Sequence, residues 1–153
     1  AVKHVEQLSD FFREILQVRD RELIPLRDEL RMVDTYFFLE QRRFGERICL
    51  QTRVAENSLD AEVPPLTVQL LVENALKHNR ATDAEPLVIT IATDGDMLTV
   101  SNPFRPRESA VRSTGFGIDS IRQRFAAITP RKVSIGRENG IFVARLPLIR
   151  PAS

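Results

Sequence analysis

Four side chains able to do chemistry stand close together in residues 66–79: Glu73, Asn74, Lys77 and His78. They supply a carboxylate, an amide, an amine and an imidazole. Residues Pro64 and Pro65 disfavour helix before them and suit a first turn, so the stretch predicts a helix. At roughly 100° per residue, Val68, Leu71, Val72, Ala75 and Leu76 share an apolar arc and the four polar residues fall on the other side. Asn74 can offer its side-chain oxygen to a hard divalent cation, leaving phosphates and waters to complete the shell. Lys77 lies one turn further on and can meet a phosphate. Glu73 can orient water or the cation, or pair with Lys77 at the i,i+4 spacing. The competing reading is a solvated helix face. Leu66 and Leu70 count against it, because they lie on the same arc as the polar four; the face should be covered in its first half and open on a cleft in its second.

A second set follows downstream. Gly115-Phe116-Gly117 opens a segment whose Ile118, Ile121, Phe125 and Ile128 predict another core-facing helix. Glycines let backbone approach an anion, and a helix start offers free N–H groups; a plain helix-entry turn has the same look. Ahead of it runs a long connection, residues 102–116, and loops of that length often serve as lids. Arg105, Arg107 and Arg112 could close from it on phosphates. Asn102 carries both a donor and an acceptor, which suits the N1/N6 edge of adenine, although Asn-Pro is also a turn dipeptide.

The elements that must position these groups are legible as patterns. Val5, Leu8, Phe12 and Ile15 give residues 2–18 the a/d seam of a coiled coil or bundle helix, which calls for a partner helix or its own domain. Residues 22–25 suit a short edge strand. Leu26, Leu30, Val33 and Phe37 predict a helix over 26–43 that ends near Gly45. Ile48, Leu50, Thr52 and Val54 alternate as a strand with one buried face, and residues 56–62 read as a loop. Residues 87–92 and 97–101 form a hairpin across Asp94-Gly95-Asp96. Residues 133–136 and 141–146 form another across Asn139-Gly140. No internal repeat is visible. Helices mixed with antiparallel hairpins suggest helices layered on one face of a mixed sheet.

Composition narrows the classes. The chain has 153 residues, 42% hydrophobic and 28% charged, which suits one soluble domain with a real core. A net charge of +1 argues against a general nucleic-acid or membrane-surface binder. The basic residues concentrate between Pro103 and Lys132, opposed there only by Glu108 and Asp119, as a phosphate-bearing ligand would favour. Cys49 is the only cysteine, and His4 and His78 are too few for a zinc site. No apolar run approaches the roughly 20 residues of a membrane span. A chain opening on Ala1 reads as an excised segment from a reducing compartment.

Taken together, these stretches resemble the ATP-binding fold shared by gyrase, Hsp90, histidine kinases and MutL. More narrowly, the chain is similar to LytS/YehU-type sensor histidine kinases. The residues that carry the likeness are Leu8-Ser9-Asp10-Phe11-Phe12-Arg13, Leu26-Arg27-Asp28-Glu29-Leu30, Glu40-Gln41-Arg42-Arg43-Phe44, Pro64-Pro65-Leu66, Leu71-Val72-Glu73-Asn74-Ala75-Leu76-Lys77-His78, Gly115-Phe116-Gly117-Ile118 and Ile121-Arg122-Gln123-Arg124-Phe125. The resemblance implies an α+β fold of the Bergerat type. This is a two-layer α/β sandwich whose mixed, mostly antiparallel sheet is covered on one face by about three helices. It implies that residues 1–21 end a dimerisation helix and that 22–153 form the ATP-binding domain, with a lid at about 103–114. Glu73 and Asn74 would be catalytic, with Asn74 the Mg²⁺ ligand. Lys77, His78, Asn102, Arg105, Gly115, Phe116 and Gly117 would surround the nucleotide. The γ-phosphoryl of ATP would pass to a histidine outside this chain and then to a response-regulator receiver domain. A homodimer with a cytoplasmic kinase region and a membrane-embedded full-length protein is the implied setting, with neither nucleic acid nor membrane touching this segment. Where the family carries D-x-G-x-G, this chain has Asn102-Pro103-Phe104-Arg105-Pro106, which leaves a nucleotide-binding module without phosphotransfer as the alternative. A helix-and-sheet adaptor is the third reading. His4 stands in no phosphoacceptor context, so the segment should bind ATP without phosphorylating itself.

Overall fold

The computed structural model describes residues 2–107 and 116–151. Along them run α1 (Val2–Val18), β1 (Ile24–Pro25), α2 (Leu26–Phe44), β2 (Ile48–Arg53), β3 (Glu62–Val63), α3 (Thr67–His78), β4 (Leu87–Asp94), β5 (Met97–Pro103), α4 (Phe116–Ala126), β6 (Ser134–Glu138) and β7 (Ile141–Pro147). Five strands form one sheet in the order β2-β4-β5-β7-β6. β2 runs parallel to β4, and the other neighbours are antiparallel. Strand alternation decides which side chains meet the helices. Leu87, Ile89 and Ile91 of β4 are fully buried, as are Leu98 of β5 and Ala144 and Leu146 of β7. The apolar faces of α2, α3 and α4 close over them through Val33, Phe37, Val68, Val72, Ile121 and Phe125. This is the α+β sandwich that the patterns predict.

Three local expectations need correction. The edge strand over 22–25 shrinks to Ile24–Pro25, because its only partner is the two-residue β3. That partner overlaps the expected loop at its last residue, Glu62, which is drawn into pairing with Ile149 by bonds in both directions at 2.6 and 2.9 Å. Ile128 falls outside α4, where the Ile128 N–H bonds back to Phe125 at 3.1 Å in a closing turn.

The start of α3 is organised by a residue from another helix. Leu66, just before it, has φ of 69°, a left-handed backbone that costs a non-glycine residue about 1–2 kcal/mol. The Leu66 N–H donates to Glu29 Oε1 at 2.7 Å, and the Gln69 N–H donates to Glu29 Oε2 at 3.0 Å. A fully buried carboxylate on α2 therefore caps α3, where no side chain of its own sequence does. Arg124 of α4 donates to the Pro65 carbonyl at 2.6 Å and closes the junction from the third helix. Burial pushes the Glu29 carboxyl above its ordinary range, against the pull of the Gln69, Leu66 and Val68 N–H groups and the Arg124 charge. Its folded pKa thus exceeds the unfolded one, so its proton-linked contribution is present below the unfolded value of 4.5 and is lost as pH rises through the folded value. Glu29→Ala is expected to cost about 2 kcal/mol in urea denaturation. Glu29→Gln should remove the pH slope just above 4.5. An unchanged midpoint in the alanine variant would contradict the cap.

Candidate functional site

A cavity of about 190 Å³ opens between α3 and α4 over the end of the sheet. Asn74, Ala75, His78 and Asn79 line it from α3 and its exit, and Ile118 from α4. Asn102 and Phe104 come from the end of β5, and Phe142 from β7. Its volume falls below the roughly 300–1,000 Å³ of pockets that enclose drug-sized ligands, so it suits one base-sized ring system. Asn102 continues the helix-facing row of Leu98 and Val100, and β7 places Phe142 directly opposite it. Asn102 is 5% exposed. Its Nδ2 donates to the Pro103 carbonyl at 2.8 Å, and among the described residues its Oδ1 has no donor. An acceptor is thus the amide group left for a ligand.

The four polar residues of α3 do not share one face. Asn74 and His78 turn to this cavity, whereas Glu73 and Lys77 line a second cleft of about 370 Å³ between α2 and α3, with Tyr36, Glu40, Arg43 and Arg107. The reason is angular. Residues 73 and 77 form one i,i+4 row and 74 and 78 the next, about 100° apart, and a helix wedged between another helix and a sheet shows each row to a different neighbour. Glu73 accepts from Gln69 Nε2 at 3.2 Å, and no ion pair with Lys77 forms among the described residues.

The arginines expected to meet phosphates are engaged elsewhere. Arg105 donates through Nη1 to the carbonyls of Glu85 and Pro86 at 3.2 and 3.3 Å, and its Nε lies 3.4 Å from the Glu85 carboxylate. Arg107 donates to the carbonyls of Leu76 and Asn79 at 2.8 and 3.0 Å, capping the C-terminal end of α3. Gly115 and Arg112 lie outside the described residues, and Phe116 is the first residue of α4. Gly117 has a packing role: a Cβ there would stand 3.1 Å from Leu70 Cδ2, so its absence lets α4 approach α3. Sequence reasoning missed Phe104, Phe142 and Asn79 as site residues. For Phe142 the signal was present, since strand alternation puts it in one row with Ala144 and Leu146.

Helix layer, sheet and cavity have the fold of histidine kinase catalytic domains, and the sequence relatives name the family. Over 84% of this chain and 97% of its own, the nucleotide-free catalytic domain of histidine kinase ThkA superposes with a TM-score of 0.52 at 20% identity, a likeness of fold. Residues 1–48 match the family model described as "Histidine kinase". The sensor protein LytS of Staphylococcus haemolyticus (strain JCSC1435) is 36% identical over 121 residues, 78% of this chain and 19% of that protein. Sensor histidine kinase BtsS of Escherichia coli (strain K12) is 28% identical over 147 residues, 94% of this chain and 25% of that protein. The chain therefore belongs with the LytS-type sensor histidine kinases, and it spans a quarter or less of the length of these two relatives.

At the cavity, burial lowers the pKa of His78 from its ordinary 6.5, helped by the charges of Lys77 and Arg107. Because the folded value lies below the unfolded one, the contribution to stability is complete above 6.5 and is lost as pH falls through the folded value. An NMR titration of the His78 ring should give a midpoint below 6.5, and His78→Gln should flatten stability against pH just beneath it. A midpoint at or above 6.5 would exclude the desolvated neutral imidazole.

Proposed function

We propose that this cavity holds the base of ATP and that Asn74 ligates Mg²⁺ carried by the phosphates. The observation that supports the reading best is one cavity shared by Asn74 of α3, Asn102 of β5 and Ile118 at the start of α4. Among the described residues no group of three His, Cys, Asp or Glu side chains could hold a metal alone. A single amide oxygen beside a polyphosphate suits Mg²⁺, which keeps waters and takes few protein ligands. When bound, the cation would neutralise charge on the phosphates and favour loss of the terminal phosphoryl group. The chain's own part is to bind the base, orient the phosphates and keep His78 neutral. Lys77 and Glu73, on the next row of α3, stand where groups outside this cavity could be met, and Glu73 as a catalytic carboxylate belongs to that second cleft.

In the whole protein the terminal phosphoryl would go to a histidine outside this chain and then to a receiver-domain aspartate. α1 fits the end of a dimerisation helix: it packs on α2 through buried Phe11, while Val5, Phe12 and Leu16 are 61%, 55% and 56% exposed. That row suits a second helix. Among the described residues no helix is long and apolar enough to cross a membrane. Residues 22–153 would then be the cytoplasmic catalytic part of a membrane-anchored kinase.

Calorimetry with nucleotides tests the site. Asn74→Ala should abolish the Mg²⁺-dependent part of ATP binding and leave AMP affinity unchanged; equal ATP affinity in the variant would remove the metal role. The Asn102 acceptor suits the 6-amino group of adenine and repels the 6-carbonyl of guanine. ATP should bind at least about tenfold more tightly than GTP, and Asn102→Leu should erase the difference. Equal affinities in the unaltered chain would refute that assignment.

A further inference from the structure

One aromatic wall of the cavity has a cation against its ring. Arg137 of β6 places its guanidinium carbon 4.6 Å from the centroid of the Phe104 ring. Strand register accounts for the approach: Asn102, Phe142 and Arg137 are successive partners across β5, β7 and β6, so they form one transverse row. Residues in such a row project to the same face of the sheet, here the face that bears the cavity. The backbone around Phe104 is fixed independently. Its N–H donates to the Gly140 carbonyl at 3.0 Å, and the next N–H, of Arg105, donates to Asn79 Oδ1 at 2.8 Å. Among the described residues no ion pair claims Arg137, and its neighbour Glu138 is held by Arg145 at 2.6 Å.

We propose that Arg137 is a positioning residue that holds the Phe104 ring as the stacking wall of the base pocket, an inference that rests on the nucleotide reading of the cavity. The backbone bonds fix where Phe104 leaves the chain but not how its ring turns. A guanidinium against one face restrains the ring and draws on its π-density, leaving the other face for an electron-rich purine. This role requires no contact between Arg137 and the ligand.

Calorimetry with adenosine, Mg-ATP and Mg-tripolyphosphate separates the possibilities. The unaltered chain must first bind Mg-ATP; if it does not, the nucleotide reading itself fails. Given binding, Arg137→Ala should weaken adenosine and Mg-ATP by the same ~2- to 5-fold and leave Mg-tripolyphosphate unaffected. Arg137→Lys should restore part of the loss. In a Phe104→Leu background, Arg137→Ala should have no further effect, a coupling that general loss of structure would not produce. The inference is overturned if the loss falls on the phosphate ligands alone, which would put the guanidinium on phosphate. It is equally overturned if the loss is the same with and without the Phe104 ring.

Discussion

The N-terminus of α3 rests on a carboxylate from another helix, and much of the molecule follows from that arrangement. A helix start leaves backbone N–H groups without partners, and here Pro64, Pro65 and Leu66 offer no side-chain cap. Glu29 supplies both carboxylate oxygens from α2, at 2.7 and 3.0 Å. A net gain of about 0.5–1.5 kcal/mol for each of the two bonds is enough to offset the about 1–2 kcal/mol cost of the left-handed Leu66. That backbone also brings Leu66 against Phe11, Ile24 and Met32, so the junction between α1 and α2 senses where α3 begins. One buried acid thus ties α2 to the element that carries Asn74 and His78, at a junction that α1 and α4 also touch.

The other end of α3 is satisfied by a comparable exchange. Arg107 meets the carbonyls of Leu76 and Asn79, and Asn79 returns its Nδ2 to Ala75 at 3.0 Å while its Oδ1 takes the Arg105 N–H. Positive charge at a helix C-terminus is favoured by the helix dipole, so Arg107 gains more there than free in solvent. The same cation adds to the burial and the Lys77 charge that lower the pKa of His78. Capping and site electrostatics are here one arrangement, and charge that looks available for a ligand in the sequence is already committed in the fold.

That commitment marks the limit of what could be read in advance. The sandwich was legible because the apolar periods of Leu26 to Phe37, Val68 to Leu76 and Leu87 to Ile91 each select one face. Asn74 stood out because Leu66 and Leu70 share its arc, and Asn102 because its amide directly follows the strand over 97–101. The separation of Glu73 and Lys77 from Asn74 and His78 was lost, because a helical projection shows a polar arc without showing that two neighbours divide it. The bonds that Arg105 and Arg107 make here were hidden for a related reason. Spacing reveals a basic loop, but the carbonyls of Glu85, Pro86 and Leu76 that take up its hydrogen bonds come from distant segments. The two-residue pairing of Ile24–Pro25 with Glu62–Val63 has no periodic signal at all.

The departure at residues 102–106 then takes on a physical sense. The family pattern has glycines where this chain has Phe104 and Pro106, which exchanges backbone freedom for a ring and a fixed φ. Pro103 closes β5 opposite Ile141, a terminal position where its missing N–H is tolerated. Phe104 then becomes a wall of the cavity, which apolar Ala75 and Ile118 also line. Stacking on such a ring is worth about 0.5–1.5 kcal/mol beyond the area it buries, comparable to one neutral hydrogen bond. An amide that offers only its oxygen has lost the charge an aspartate would bring, and a restrained aromatic face is of the right size to offset it. On the proposed reading of the cavity, Asn102 and Phe104 form a single substitution, in which weaker polar reading of a base is offset by stronger apolar contact.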